Sequence, residues 1–248
     1  MAYTNSPLVA YTKLSPNHSG QRTHSIDRIT PHCVVGQATA ERICECFISP
    51  DRQASCNYGI GTDGRVSLCV EEKNRSWCSS SRENDQRAIT IECASDTSEP
   101  YAMNSKVYES LIKLCTDICQ RNGKKKLLWF ADKTKALNYA PKADAMVLTV
   151  HRWFANKSCP GDWLYSRLGD LAAKVTAALQ APKNSETDSV PAAWSKEAVN
   201  WAVESKILQG GQNGHLMLRS PLTREQFCVM LKRYHDFCGK QNNQRSTY

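Results

Sequence analysis

The sequence predicts an α/β domain in which helices flank a mixed central β-sheet, followed by a small all-α module at the C-terminal end. Over residues 1–180, short β-rich runs alternate with segments whose apolar side chains recur at helical spacing. A polar stretch bracketed by two prolines then breaks this pattern, and only helical patterns follow it. We therefore expect a domain over residues 1–180, a linker over 181–191 and a helical module over 192–248.

Six β-rich runs supply the predicted strands of the first domain. They cover residues 29–35, 56–61, 65–70, 88–93, 127–130 and 146–150. The second and third runs are separated by Thr62-Asp63-Gly64, and a short turn containing Asp-Gly predicts a hairpin. The remaining runs alternate with helical segments, and this combination predicts the mixed sheet.

Three segments of the first domain carry apolar side chains at helical spacing: residues 38–48, 105–122 and 162–179. The middle segment ends at Asn122-Gly123, a helix stop signal. Its predicted buried face consists of Val107, Leu111, Leu114, Cys115 and Ile118. We expect these helices to cover the sheet.

Two histidines and one cysteine stand where strands end. His32 and His151 each follow a β-rich run, and Cys159 comes eight residues after His151. Two imidazoles and a thiolate make a three-ligand zinc set that leaves a fourth position for water, as a zinc hydrolase requires. A histidine near a strand end is more often an ordinary polar residue, and a single cysteine more often packs in a core. Spacing alone leaves these alternatives open.

The short sequence motifs around these residues resemble those of a known family. PHCVVG, CNYGIGTDG, ITIECAS and VH…KSCPG occur in this order. Together they resemble the amidase type 2 family, which includes N-acetylmuramoyl-L-alanine amidases and animal peptidoglycan recognition proteins. The resemblance spans about residues 10–180. It implies the mixed-sheet fold of that family, with Zn²⁺ as cofactor and His32, His151 and Cys159 as its ligands.

The same resemblance implies two catalytic residues. Lys157 matches the family lysine that stabilises the oxyanion of the tetrahedral intermediate, where a cation meets developing negative charge. Glu92 matches a glutamate near the zinc, where a carboxylate can take a proton from water and pass it to the leaving amine. A loop lysine is more commonly just solvated, whereas an acid in an apolar strand is hard to explain by packing.

The sequence departs from the family at two positions. Cys56 stands where many members carry a catalytic tyrosine. Tyr58 lies two residues further along and is expected to point to the same sheet face, so we assign it to substrate binding. The family's W-H-A-G-like motif is replaced here by Trp77-Cys78-Ser79-Ser80, so this segment supplies no histidine that could assist catalysis. Trp77 is the second predicted substrate-binding residue, although an ordinary half-buried tryptophan explains it equally well.

The C-terminal segment resembles a single S-layer homology repeat. Its first predicted helix places Trp194 and Trp201 on one face, and Thr223 with Gln226 forms a capping box for a second helix. The expected inner face of that second helix is Phe227, Met230, Leu231 and Tyr234. The resemblance implies binding to a secondary cell-wall polymer. Such repeats usually work in threes, so a packing role or a homodimer contact remains an alternative.

The resemblance as a whole implies hydrolysis of the amide between N-acetylmuramic acid and L-Ala of peptidoglycan, as a phage or prophage endolysin performs it. A non-catalytic peptidoglycan-binding protein is the alternative, but such receptors typically lack the cysteine present here as Cys159. A structural zinc site would need a fourth protein ligand. Cys33 is the nearby candidate, and strand alternation directs it away from His32.

Charge and targeting signals limit the partners and the cellular location that we expect for the protein. The net charge of +8 comes without an arginine-rich arm, and it fits attraction to a cell-wall polyanion as well as to a nucleic acid. With the family resemblance beside it, we expect neither a nucleic acid nor a membrane as partner. No apolar run approaches the roughly 20 residues of a membrane span. The N-terminal segment lacks a signal-peptide pattern, which predicts residence in the host cytoplasm until release, with reduced thiols.

Overall fold

The computed structural model describes residues 3–140, 143–180, 187–211, 214–220 and 222–245. The chain divides into two compact units, Met1–Ala181 and Pro182–Tyr248. None of the described helices is both long enough and apolar enough to cross a membrane.

The described part of the first unit contains nine strands and six α-helices. The strands are β1 (Val9–Thr12), β2 (His18–Gln21), β3 (Arg28–Cys33), β4 (Tyr58–Ile60), β5 (Val66–Leu68), β6 (Asn74–Ser76), β7 (Ala88–Cys93), β8 (Lys126–Leu128) and β9 (Ala145–Leu148). The helices are α1 (Ala40–Glu45), α2 (Arg82–Arg87), α3 (Ser105–Arg121), α4 (Lys133–Asn138), α5 (Gly161–Tyr165) and α6 (Leu168–Gln180).

Seven strands form one mixed sheet in the order β1-β5-β4-β7-β3-β9-β8. Every neighbouring pair is parallel except β4 and β5, which form the antiparallel hairpin predicted around Asp63-Gly64. β2 and β6 pair separately as a small antiparallel sheet. The predicted mixed α/β architecture is therefore confirmed.

The centre of the sheet is the parallel pair β3 and β7. The register runs from Arg28 opposite Ala88 to Cys33 opposite Cys93, and it sets His32 beside Glu92. All six residues of β3 are buried, as expected for a central strand covered on both faces. His32 and Glu92 are each the penultimate residue of their strand, so both lie at the carboxyl edge of the sheet.

Helix α3 buries the face predicted from its spacing: Val107, Leu111, Leu114, Cys115 and Ile118 are all fully buried. The side chain of Asn104 caps its first turn by accepting a hydrogen bond from the Val107 amide. The helix packs against α6. Its apolar contacts belong to the main hydrophobic core of the unit.

The structure differs from the sequence-based expectation in the segment 162–179, which forms two helices, α5 and α6, rather than one. The α5 helix ends before Ser166, whose amide donates back to the Asp162 carbonyl. The strands β1, β2 and β6 and the helices α2 and α4 were not predicted. β2 (HSGQ) and β6 (NRS) are short and mostly polar, so they carry no hydrophobic period.

The described part of the second unit is helical, with α7 (Lys196–Glu204) and α8 (Arg224–Arg245). The predicted capping box is present, since the Thr223 amide donates to Gln226 Oε1 and the Gln226 amide donates to Thr223 Oγ1. Trp201 of α7 contacts Tyr234 and Phe237 of α8 through edge-to-face ring packing.

One expectation about α8 is corrected. Phe227, Leu231 and Tyr234 were expected inside, yet each is about half exposed, because α7 covers only part of α8. Residues 181–186 of the predicted linker lie outside the described residues. Its remaining part belongs to the second unit: Thr187–Ser189 forms a short 3-10 helix, and the Asp188 carbonyl accepts a hydrogen bond from the Leu218 amide.

Candidate active site

A cavity of about 770 Å³ opens at the carboxyl ends of the central strands. In open α/β sheets, ligands commonly bind at this edge. Six of the seven predicted site residues line the cavity: His32, Trp77, Glu92, His151, Lys157 and Cys159. Tyr58 does not.

His32, His151 and Cys159 come together although they are far apart in the chain. Their ligand atoms all lie within 4.8 Å of one another, and His32 Nδ1 is 3.2 Å from Cys159 Sγ. His151 opens a short 3-10 helix just beyond β9. The Arg152 amide donates to the Cys159 carbonyl at 3.1 Å, and this bond folds the loop back so that the thiol faces the strand ends.

Both histidines are held in the neutral form that can ligate a metal. His32 is only 1 % exposed, and burial followed by the charge of His151 lowers its pKa to about 3. Burial and then the nearby Lys157 ammonium lower the pKa of His151. Its Nε2 shares a 2.9 Å hydrogen bond with Ser80 Oγ, which fixes the orientation of the ring.

The residues present fit a zinc ion. Two neutral imidazoles and a thiol are donors that zinc prefers, and three protein ligands are typical of a catalytic site. The buried Glu92 Oε2 has no hydrogen-bond partner in the described structure. Buried polar atoms are nearly always satisfied, so this atom indicates that the site is built to receive a ligand.

Glu92 lies beside His32 in the cavity. Its Oε1 lies 3.9 Å from His32 Nδ1, and its side chain is 16 % exposed. Burial raises the pKa of this carboxyl to about 8, with the Cys78 hydrogen bond and the Arg52 charge opposing the shift. A carboxyl with a pKa near neutrality can both take up and release a proton at physiological pH.

Lys157 is exposed and lies on the loop between His151 and Cys159. Its amide donates to the Ala155 carbonyl, and its side chain lines the cavity. Its positive charge contributes to lowering the pKa of His151, so the ammonium lies near that imidazole.

Trp77 forms part of the cavity wall and donates from its indole Nε1 to Ser19 Oγ at 2.6 Å. Its side chain is partly exposed, so an aromatic surface faces the cavity. This placement suits contact with a substrate.

The substrate-binding role predicted for Tyr58 is wrong. Tyr58 is in register with Ile91, whereas its neighbour Gly59 is in register with Glu92, so the Tyr58 side chain points to the opposite sheet face. There it is fully buried, and its hydroxyl donates to Glu72 Oε1 at 2.6 Å. Cys56 precedes β4 and packs in a separate cluster, so strand alternation does not link it to Tyr58.

The structure adds residues that the sequence did not single out. Cys78, in the word that departs from the family pattern, donates from Sγ to Glu92 Oε1 at 3.7 Å. Three arginines also line the cavity: Arg52, Arg75 and Arg82. The sequence could have pointed to Cys78, because this cysteine stands where the family carries a histidine. The three arginines are scattered in the sequence, and no motif marks them as cavity residues.

Cys33 occupies the main core and also contacts the cavity. It is next to Cys159, and the hydrogen bond with its thiol is the leading cause that raises the pKa of Cys159, followed by burial and the charge of Glu92. It does not belong to either group of clustered metal donors found among the described residues. All twelve cysteines are free thiols in the described structure.

Comparison with known proteins finds a family model described as N-acetylmuramoyl-L-alanine amidase that matches residues 22–162, more than half of the chain. Similar solved structures include PlyL, at 16 % identity and a TM-score of 0.45, covering 66 % of this chain and 95 % of that one. Another is the Ph2119 endolysin from Thermus scotoductus MAT2119 bacteriophage, at 16 % identity and a TM-score of 0.43, covering 63 % of this chain and 90 % of that one. A third is N-acetylmuramoyl-L-alanine amidase LysC from Clostridium intestinale URNW, at 14 % identity and a TM-score of 0.41, covering 63 % of this chain and 94 % of that one. No curated protein matches the chain.

Proposed function

Because this chain belongs to the N-acetylmuramoyl-L-alanine amidase family, we propose that it cuts peptidoglycan by hydrolysing the amide between the lactyl group of N-acetylmuramic acid and L-Ala of the stem peptide. The observation that carries the proposal is the convergence of His32, His151 and Cys159 in one cavity, with ligand atoms within 4.8 Å of one another. A zinc ion held by these three residues would activate the attacking water. The protein is then a bacteriolytic hydrolase of the endolysin type, of phage or prophage origin, that acts on the bacterial cell wall.

His32, His151 and Cys159 would hold the zinc ion. When bound, zinc would polarise the scissile carbonyl and lower the pKa of water towards about 7. Burial of both histidines, with the Lys157 charge near His151, favours the neutral rings, and the Ser80 hydrogen bond orients the His151 ring. The chain therefore supplies a preorganised donor set.

Glu92 and Lys157 carry the remaining chemistry. Glu92 takes the proton of the attacking water and returns it to the nitrogen of the leaving L-Ala, because its carboxyl titrates near neutral pH and faces the metal donors. Lys157 places a positive charge at the cavity wall where the carbonyl oxygen becomes an anion. Trp77 offers its ring face to the sugar or peptide.

The product of the reaction tests the proposal directly. Purified cell walls incubated with the protein should release new L-Ala amino termini, without new reducing sugar ends. Wall binding without any new amino termini would assign the chain to the non-catalytic peptidoglycan-binding proteins. New reducing ends would indicate a glycosidase.

The cavity wall is also cationic, which suits the carboxylates of stem peptides. Arg82 is exposed at the start of α2, so we expect Arg82→Ala to raise KM for a carboxylate-bearing muropeptide by about 2- to 5-fold, as for one exposed ion pair. The turnover number should change little. Steady-state kinetics check this, with Arg42→Ala as control, since Arg42 is exposed on α1 outside the cavity. Equal KM values for Arg82→Ala and the control would contradict the assignment.

For the second unit we propose binding to a secondary cell-wall polymer. Trp194 is 91 % exposed there, and an aromatic ring so open to solvent is available to stack on a sugar. A targeting unit raises the effective concentration of the enzyme at the wall. Homodimer formation is the alternative role.

Truncation after Ala181 is expected to leave a folded enzyme that still cleaves soluble muropeptides, because the fold divides there and every proposed site residue precedes it. Affinity for intact walls should fall by roughly 10²-fold, as when one of two tethered sites is lost. A wall pull-down and a muropeptide assay measure the two effects separately. If truncation instead converts a dimer to a monomer in light scattering, the second unit serves assembly.

A further inference from the structure

The two oxygens of the Glu92 carboxylate differ in their contacts. Oε1 accepts a hydrogen bond from the Cys78 thiol at 3.7 Å and lies 3.9 Å from His32 Nδ1. Oε2 is buried and has no hydrogen-bond partner in the part of the chain that the structure describes. The thiol therefore engages one oxygen of the carboxylate and leaves the other without a partner.

The Cys78 thiol is suited to donate a hydrogen bond rather than to ionise. Burial, followed by the negative charge of Glu92, raises the pKa of this thiol, so it keeps its proton near neutral pH. A thiol is a weak donor, and its effect on a carboxylate depends on how firmly the backbone holds it. Cys78 also packs against the apolar cluster that contains Cys44 and Cys56, so an experiment has to separate packing from a role in the reaction.

Hydrogen bonds on both sides fix the backbone that carries this thiol. The Cys78 amide donates to Asp85 Oδ2 at 3.0 Å, and the Ser79 hydroxyl donates to Asp85 Oδ1 at 2.6 Å. The Trp77 amide donates to Ser55 Oγ at 3.0 Å. Asp85 is itself a buried residue of α2. An anchored turn, rather than a free loop, thus presents the thiol to Glu92.

The same turn reaches one of the proposed metal ligands. Ser80 has a φ of 61°, in the left-handed region that residues other than glycine seldom adopt. Its hydroxyl shares a 2.9 Å hydrogen bond with His151 Nε2. Such a conformation persists where the surrounding contacts hold it, and it is common at functional sites. The turn contacts the carboxylate through Cys78 and the imidazole through Ser80.

We propose that Cys78 is a positioning residue for the hydrolysis: its thiol holds Oε1 of Glu92, so that Oε2 is the oxygen that exchanges the proton. This inference rests on the proposed function, in which Glu92 carries a proton from water to the leaving nitrogen. The three-ligand zinc set stays as proposed, because Cys78 acts on the carboxylate and not on the metal. The thiol keeps its own proton throughout, and no covalent bond of Cys78 forms or breaks.

Removing the donor should lower turnover without changing affinity. We expect Cys78→Ala to lower kcat for a soluble muropeptide by about 3- to 10-fold, as for one lost hydrogen bond, while KM and zinc content stay at wild-type values. Cys78→Ser keeps a donor at this position and should restore kcat to within about 2-fold of wild type. Cys46→Ala is the matched control, because Cys46 is an exposed thiol on the same cavity wall. It should match the wild type.

A double-mutant cycle with Glu92→Gln tests whether Cys78 acts through Glu92. The glutamine cannot exchange a proton, so adding Cys78→Ala to this variant should cause no further loss of turnover. A further loss as large as in the wild-type background would show that Cys78 acts on another group, and it would overturn the proposal. A Cys78→Ala protein whose KM rises or whose zinc is lost, with kcat unchanged, would overturn it too.

The outcomes separate this proposal from the proposed function. If the wild-type chain releases L-Ala amino termini and Cys78→Ala matches it, the positioning role is wrong and the amidase stands. If the wild-type chain releases none, both are wrong. Should Cys78→Ala fail to fold, Cys78→Val fills the space of the thiol without a donor and replaces it in the cycle. Equal kcat values for Cys78→Val and Cys78→Ser would then contradict the proposal.

Discussion

Cys159→Ala is expected to abolish zinc binding and amidase activity together. Cys159 supplies the thiolate of the proposed three-ligand set, and its Sγ lies 3.2 Å from His32 Nδ1. Losing even an outer partner of a metal ligand commonly costs 10- to 100-fold in affinity, so losing the ligand itself should cost more than about 100-fold. Metal analysis of the dialysed protein and release of L-Ala amino termini measure the two losses.

Cys46→Ala is the control for this substitution. Cys46 is an exposed thiol that lines the same cavity and belongs to neither donor group. It should retain about one zinc per chain and wild-type turnover. A Cys159→Ala protein with full zinc and full turnover would show that Cys159 is a packing residue, as an isolated cysteine usually is.

Glu92→Gln is expected to lower turnover by roughly 10²-fold or more while zinc content and wall binding stay unchanged. The amide keeps the size of the side chain but cannot exchange a proton. Glu92 is suited to that exchange because its burial raises the carboxyl pKa to about 8. Turnover of soluble muropeptides, together with metal analysis, separates the lost chemistry from a lost metal.

Glu109→Gln provides the matched control, because Glu109 is an exposed carboxylate on α3 outside the cavity. Turnover near wild type in Glu92→Gln would exclude Glu92 as the proton carrier. Tyr58 cannot then replace it, because the Tyr58 hydroxyl is buried against Glu72 on the other face of the sheet. Cys78 would be the next group to examine, since it is the neighbouring proton donor.

Much of the fold was predictable because its central elements follow simple periods. The buried face of α3 repeats at helical spacing, and β7 (AITIEC) is a short, mostly apolar run typical of a buried strand. The β4–β5 hairpin follows from its Asp-Gly turn. The peripheral strands β1, β2 and β6 were missed because their pairing depends on tertiary neighbours rather than on a pattern of their own.

Site residues at strand ends could be predicted from the sequence. Residues whose side-chain direction depends on the pairing register of a strand could not. His32 and Glu92 were identified, and the parallel pairing of β3 with β7 sets them side by side. The direction of the Tyr58 side chain was inferred from Cys56 by strand alternation. That inference was wrong because Cys56 lies before β4 begins. Cys78 was overlooked because its approach to Glu92 depends on the anchoring of its turn by Asp85.

The central claim is that a single metal centre at this cavity performs the hydrolysis. The most direct measurement is a zinc titration of the metal-stripped full chain, with release of L-Ala amino termini followed at each addition. The account predicts no activity without metal, a linear rise, and a plateau at about one zinc per chain. Full activity in the metal-free protein, or activity indifferent to added zinc, would contradict it.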